Sequence, residues 1–349
     1  MKAFTLLAFA AALGSCGRTA DEQSGPLFDE SLVPYASDWE AMRLPDGRKL
    51  NFVCLGEGAP TVILTAGMGD FAGWAWSSVQ SGMAKTTRVC AWDRPGFGLS
   101  DGSAAPQTVA TTTADLEAAL ATGKIAGPYV MVGHSLGAYE SLLFTDRHPD
   151  RVAGMVLVDP SFPDQFSVPP VEPPGWPRLP WAAAEPDPIE VFRKCAADIR
   201  SGKLRRGTLD PNKCVAFPLS FPPVLSEALK TKALGNSLQY ESQASFNQSG
   251  EESSRLVVDP GRNYGAMPLV VLSAVYAPRW PPFTPEELKV RMAAEHARID
   301  RGHQALAALS TGGIHTRVAD SDHYIQKAQP KVVIDAVEAV VAEARSAQR

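Results

Sequence analysis

The stretch that decides the fold is Tyr129-Val130-Met131-Val132-Gly133-His134-Ser135-Leu136-Gly137-Ala138-Tyr139-Glu140-Ser141-Leu142-Leu143. Its opening four residues form a continuous apolar run, the pattern of a strand covered on both faces. Its closing residues bring apolar side chains back at helical spacing. Between them, G-x-S-x-G makes a sharp strand-to-helix turn that lifts the serine hydroxyl above the sheet, and the small residues two positions either side relieve the crowding of that turn. The helix start behind the serine offers free N–H groups and a positive dipole end to a developing oxyanion. The pentapeptide alone is a weak signal; with a strand before it and a helix after it, Ser135 is a candidate nucleophile.

The alternation extends outward in both directions. Short apolar runs at 51–55, 61–65, 87–92, 129–133, 154–159, 269–274 and 315–319 read as strands. Helical periodicity predicts helices over 74–85, 108–122, 136–147, 285–309 and 331–345. Strands and helices joined by short connections argue for an open α/β sheet with helices on both faces. Pro45-Asp46-Gly47 marks a hairpin turn, so an antiparallel pair opens the sheet. The alternation breaks between Asp159 and Pro268, where ten of the 29 prolines fall between Pro160 and Pro188. So long an excursion between two strands reads as an inserted cap, assigned to 160–265, on a core of 39–159 and 266–349. Helical pieces at 188–201 and 223–234 fall within it, and its basic stretch 193–213 reads as a solvated face.

Lys and Arg number 33 against 38 Asp and Glu, for a net charge of −5, with no concentrated basic stripe of the kind nucleic acid requires. Residues 1–15 carry one basic residue and an apolar run too short to span a bilayer, the pattern of an export signal. The run ends in Leu13-Gly14-Ser15-Cys16, which resembles a bacterial lipobox. That resemblance implies lipidation at Cys16, a polar tether over 16–38, and a periplasmic or cell-envelope lipoprotein, or otherwise a secreted protein. Any membrane attachment is expected only through that N-terminal anchor. Of the remaining cysteines, Cys195 and Cys214 close a short loop and form the favoured disulfide, while Cys54 and Cys90 sit in apolar strands and read as buried thiols. No cysteine or histidine spacing suits a metal.

A serine nucleophile needs a base, and six histidines compete. His323, in Asp320-Ser321-Asp322-His323-Tyr324 after the last strand, stands where the Ser…acid…His order puts the base. The turn after strand 269–274 has no carboxylate to act as the acid. Asp159, at the end of the strand that follows the serine unit, shares its sheet edge and is the leading choice; Glu286 and Asp322 are the alternatives. The second oxyanion N–H besides that of Leu136 falls to Met68 in Thr65-Ala66-Gly67-Met68-Gly69-Asp70, with Asp70, Trp74 and Trp76 as pocket candidates.

These residues resemble the α/β-hydrolase superfamily over most of the chain. Asp93-Arg94-Pro95-Gly96-Phe97-Gly98-Leu99-Ser100 looks like the D-x-P-G-x-G-x-S loop of its capped, serine-hydrolase subgroup, and Arg151 to Pro160 like the strand that follows the elbow. The resemblance implies an eight-stranded, mostly parallel sheet, a helical cap after Asp159, no cofactor, and acyl transfer through a covalent serine ester. Some members carry the acid at the position of Asp159. Thr65-Ala66-Gly67 departs from the common His-Gly, and Asp322 from the usual Gly beside the base. A serine at the elbow speaks against epoxide hydrolysis and dehalogenation, which use a carboxylate nucleophile. The expected function is cleavage of small carboxylic esters. An amidase, aminopeptidase or lactonase on the same triad, and a non-catalytic binding lipoprotein, are the alternatives.

Overall fold

The computed structural model describes residues 28–37, 41–166, 187–275 and 286–347. The signal-type segment, Cys16 and most of the proline-rich stretch lie outside the described residues.

Strands β1 (Met42–Arg43) and β2 (Lys49–Leu50) form the expected hairpin, with Gly47 at φ +91° in its turn. The main body follows in the order β3 (Phe52–Leu55), β4 (Thr61–Thr65), α1 (Ala72–Met83), β5 (Val89–Trp92), α2 (Val109–Thr122), β6 (Tyr129–His134), α3 (Gly137–Arg147) and β7 (Val152–Val158). Four helices then intervene among the described residues: α4 (Pro188–Arg200), α5 (Pro223–Gly235), α6 (Leu238–Gln248) and α7 (Gly250–Leu256). The chain returns through β8 (Leu269–Ala274), α8 (Glu286–Ala307), β9 (Ile314–Val318), α9 (Ile325–Ala328) and α10 (Pro330–Ala347).

The sheet runs β3-β5-β4-β6-β7-β8-β9, with β3 antiparallel to β5 and every other pair parallel. It therefore has seven strands among the described residues, not the eight that the resemblance implied. Among the described residues the hairpin strands form a separate two-stranded sheet, and the chain beside them bonds to the 93–101 loop. Lys49 N–H donates to Asp101 Oδ2 at 2.8 Å, and Asn51 N–H donates to Ser100 Oγ at 2.8 Å.

Successive residues of the covered strands serve opposite layers. Val62, Val130, Val156 and Val270 pack with Trp76 and Val79 of α1 and Val337 and Val340 of α10. Their sequence neighbours Ile63, Met131, Met155 and Val271 pack with Leu116 of α2, Leu142 of α3 and Leu306 of α8. This period of two, apolar on both faces, is why the strands read as unbroken apolar runs; each such side chain contributes about 1.5–3 kcal/mol on burial.

Two expectations are corrected here, and one unassigned segment gains its structure. Cys54 and Cys90 are not free thiols but a disulfide, because antiparallel pairing of β3 with β5 sets them directly opposite at a Cα separation of 4.0 Å. Residues 30–35 are not tether: they form a 3-10 helix capped by Asp29, with Leu32 and Tyr35 buried against the core. Residues 238–256, unassigned from periodicity, hold α6 and α7. The inward face of α6 mixes buried Tyr240, Ala244 and Phe246 with buried Gln239 and Ser242, and Ser242 Oγ accepts from Ser103 N–H while Gln243 Nε2 donates to the Gly96 carbonyl, which interrupts the apolar stripe. The Cys195–Cys214 disulfide forms as expected, with 19 residues separating its ends, and contributes about 3 kcal/mol by the chain-entropy estimate.

Candidate active site

Ser135 occupies the turn between β6 and α3, half-buried, with φ at +51°. The glycines around it are a packing requirement. A Cβ on Gly133 would lie 2.5 Å from the Gly137 carbonyl oxygen, and one on Gly137 would lie 2.5 Å from that of Thr65. The strained serine is fixed through its backbone: its N–H donates to Val158 O at 3.1 Å, and its carbonyl accepts from Ser161 N–H at 2.9 Å. No side chain caps the start of α3, where Leu136 stands.

Asp159 follows β7, buried, and also has a positive φ of +40°. Its N–H donates to Leu272 O at 2.7 Å, and its Oδ1 accepts from Ala274 N–H at 2.9 Å. Its Oδ2 lies 2.7 Å from His323 Nδ1, so two residues 164 positions apart are brought together. The alternative acids are engaged elsewhere: Glu286 is paired with Lys289 at 3.1 Å, and Asp322 Oδ1 accepts from Tyr324 N–H at 2.8 Å.

The loop after β4 approaches the serine closely. A Cβ on Gly67 would sit 3.2 Å from Ser135 Cβ. Arg94 holds this loop, donating to Ala66 O at 2.6 Å and Gly67 O at 2.9 Å while paired bidentately with the buried Glu140. Removing one partner of such a buried pair typically costs about 3–5 kcal/mol. In the sequence Arg94 has no assigned task, because its partner Glu140, in the first turn of the elbow helix, lies 46 residues away and no local pattern joins them.

His134, beside the nucleophile, is buried and turned away from it. Its Nε2 lies 2.8 Å from the His323 carbonyl, which can only accept, so Nε2 carries the proton. The Nδ1 lone pair then faces Asp70 Oδ2 at 3.9 Å, and neither atom has a hydrogen-bond partner among the described residues. Burial and the neighbouring His323 push His134 down to about 3, while burial pushes Asp70 up to about 6. Both shifts favour a neutral pair in which any shared proton sits on Asp70. Tyr324 OH donates to Asp70 Oδ1 at 3.2 Å, and the Lys327 ammonium lies over the Trp74 ring. Trp76 is fully buried in the core layer, not in the pocket.

A stability prediction follows from Asp70. Because its folded value is raised, the folded chain holds more protons between about pH 4 and pH 6. The stabilisation is complete below the ordinary carboxylate value and is lost as pH rises through about 6, a change on the order of 3 kcal/mol. Asp70→Asn keeps an acceptor for Tyr324 and offers an N–H to His134. Urea unfolding is expected to show a downward slope between pH 4 and 7 in the parent that this variant loses; an identical slope in both proteins would refute the assignment.

Between the 69–71 and 96–98 loops and helices α4 to α6 lies a cavity of about 180 Å³, lined by Phe71, Phe97, Phe192, Phe217, Leu229 and Tyr240. Phe71 and Phe97 also pack with Met68 and Leu136. A larger cleft of about 900 Å³ runs between α5 and the Gly47–Arg48 turn, away from Ser135 and the Asp159–His323 pair.

A sequence model of the family described as alpha/beta hydrolase fold matches residues 60–222. An uncharacterised protein of Schizosaccharomyces pombe is 42% identical over 90 residues, 26% of this chain and 17% of its own. An uncharacterised vacuolar membrane protein of Saccharomyces cerevisiae is 42% identical over 76 residues, 22% of this chain and 12% of its own. The matched stretches thus span less than a fifth of these curated relatives. The vacuolar location of the latter overturns the expected placement as an exported periplasmic or cell-envelope lipoprotein, which rested only on residues outside the described ones. No helix among the described residues is long and apolar enough to cross a membrane. An esterase from Thermogutta terrifontis superposes with a TM-score of 0.52 at 18% identity, covering 87% of this chain and 98% of its own. Taken with the parallel sheet and the serine held at the strand-to-helix turn, these likenesses show that the chain has the α/β-hydrolase fold.

Proposed function

We propose that this hydrolase cleaves carboxylic esters through Ser135, His323 and Asp159. The observation that carries the reading is the 2.7 Å bond from His323 to a buried carboxylate on the sheet edge that also holds the strained Ser135. In this mechanism His323 Nε2 accepts the Ser135 hydroxyl proton as Oγ attacks the ester carbonyl. Asp159 keeps the Nδ1 proton in place and stabilises the imidazolium. The Met68 and Leu136 N–H groups receive the oxyanion, the first on the loop that Arg94 anchors, the second at the uncapped start of α3. Collapse of the tetrahedral intermediate returns the proton to the leaving alcohol. Water then attacks the acyl-serine with His323 again as base, releasing the acid.

Helices α4 to α7 act as the cap, and the 180 Å³ aromatic cavity beneath it receives one side of the ester. That volume is little more than the roughly 150 Å³ that accommodates a benzene ring, which points to short acyl or single-ring groups. The test is labelling with a fluorophosphonate probe, mass spectrometry of the modified peptide, and a 4-nitrophenyl ester series from acetate to decanoate. Labelling at Ser135 and a kcat/KM that falls with chain length are expected. Failure of the folded protein to label would reject the serine mechanism, and a rate rising toward decanoate would reject the cavity as the acyl site.

A further inference from the structure

Behind Asp159 lies a second buried polar system that the mechanism above does not use. Ser273, in the otherwise apolar β8, places its Oγ 2.6 Å from His303 Nδ1 and 2.7 Å from His315 Nε2. His303 Nε2 in turn lies 2.7 Å from the Pro160 carbonyl. The direction of each bond follows from that end. A carbonyl can only accept, so His303 Nε2 bears a proton; burial holds this imidazole below the ordinary histidine range, leaving Nδ1 as a lone pair. Ser273 must then donate to His303 Nδ1, and with its proton so engaged it accepts from His315 Nε2–H. Every polar atom between His315 Nε2 and the Pro160 carbonyl is satisfied in one arrangement, a condition that makes such a buried chain rigid instead of costly.

The chain ends one residue past Asp159, whose φ of +40° is a conformation that costs on the order of 1–3 kcal/mol unless its surroundings enforce it. Leu272 O holds the residue from one side, and the Ser135–Ser161 bond holds the chain two residues later. Between them Pro160 has no N–H to give, and its carbonyl is the group that is held. Helix α8 does this with His303 and steadies the same segment by stacking His303 edge-on to Phe162, with Arg298 over the other ring.

We propose that His303, oriented by Ser273 and His315, is a positioning residue that grips the Pro160 carbonyl and so keeps Asp159 in the backbone conformation from which it reaches His323. The proposal rests on the serine-hydrolase reading. Other charged groups facing the system, Asp300 near His315 and Arg317 beside it, stand outside the bonded chain.

The test uses the full chain with 4-nitrophenyl acetate. His303→Phe keeps the ring and removes the donor; kcat is expected to fall about 10–100-fold, the scale of a small displacement at a reacting group, with KM within about twofold. His303→Gln can place an amide N–H at the Nε2 position and is expected to recover kcat to within about fivefold of the parent. A folded His303→Phe with parental kcat, or a His303→Gln no better than His303→Phe, overturns the proposal. If His303→Phe does not fold, Ser273→Ala decides: a several-fold lower kcat at unchanged KM supports it, and an unchanged kcat overturns it. Absence of fluorophosphonate labelling at Ser135 in the parent would instead reject the hydrolase mechanism, so the two failures are told apart.

Discussion

Ser135→Ala is expected to lower 4-nitrophenyl acetate turnover by about 10⁴–10⁶-fold and to abolish fluorophosphonate labelling, while the thermal midpoint stays within a few degrees. On the proposed mechanism the size of the loss comes from removing the attacking atom, and what remains is hydrolysis by water in a site that still offers oxyanion donors. The fold is expected to survive because Ser135 is held by its backbone, through Val158 and Ser161, and the side chain has no task in those bonds. The positive φ of +51° will make alanine slightly less comfortable than serine, a local cost on the order of 1 kcal/mol. A folded variant with more than a hundredth of the parental rate would mean that the ester is cleaved elsewhere or by another nucleophile.

The second large effect is Asp159→Asn, for which a loss of about 10⁴ in kcat is expected. Asparagine has the shape of aspartate and is among the few residues that tolerate the left-handed region, so the φ of +40° is no obstacle. Its oxygen can keep the bond from Ala274 N–H, which turns its NH₂ toward His323 Nδ1. A donor there forces the proton of His323 onto Nε2, and the imidazole then presents an N–H where Ser135 needs a lone pair. The variant should therefore fold, bind and fail to react. Glu286→Gln and Asp322→Asn, which alter carboxylates occupied by Lys289 and by a turn N–H, are expected to keep rates within about twofold of the parent. Steady-state kinetics on the three variants settles the acid. Near-parental activity in Asp159→Asn would move that task to another residue.

How much of this was legible in the sequence follows from the range of the interactions involved. The elbow, the covered strands at 61–65 and 269–274, and the helices around them are local patterns: a period of two on both faces, a period of 3.6, and a pair of glycines where a turn has no room for Cβ. Helix α6 escaped the same reading because polar Gln239 and Ser242 are buried among its Tyr240, Ala244 and Phe246, and Ser242 and Gln243 bind loop backbone, so its apolar stripe is broken.

Determined by the sequence alone were the α/β layering, the serine at the strand-to-helix turn and the histidine after the last strand, since each is written in neighbouring residues. Pairings between distant segments were decided only by the tertiary structure. Cys54 met Cys90 because β3 turned antiparallel to β5, and His323 met Asp159 because parallel strands end their carboxyl edges together. One ring nitrogen of His134 met the His323 carbonyl and one of His303 met the Pro160 carbonyl because burial brought those distant segments together. A residue type states what chemistry is available; which partner receives it depends on contacts that exist only once the sheet has closed around them.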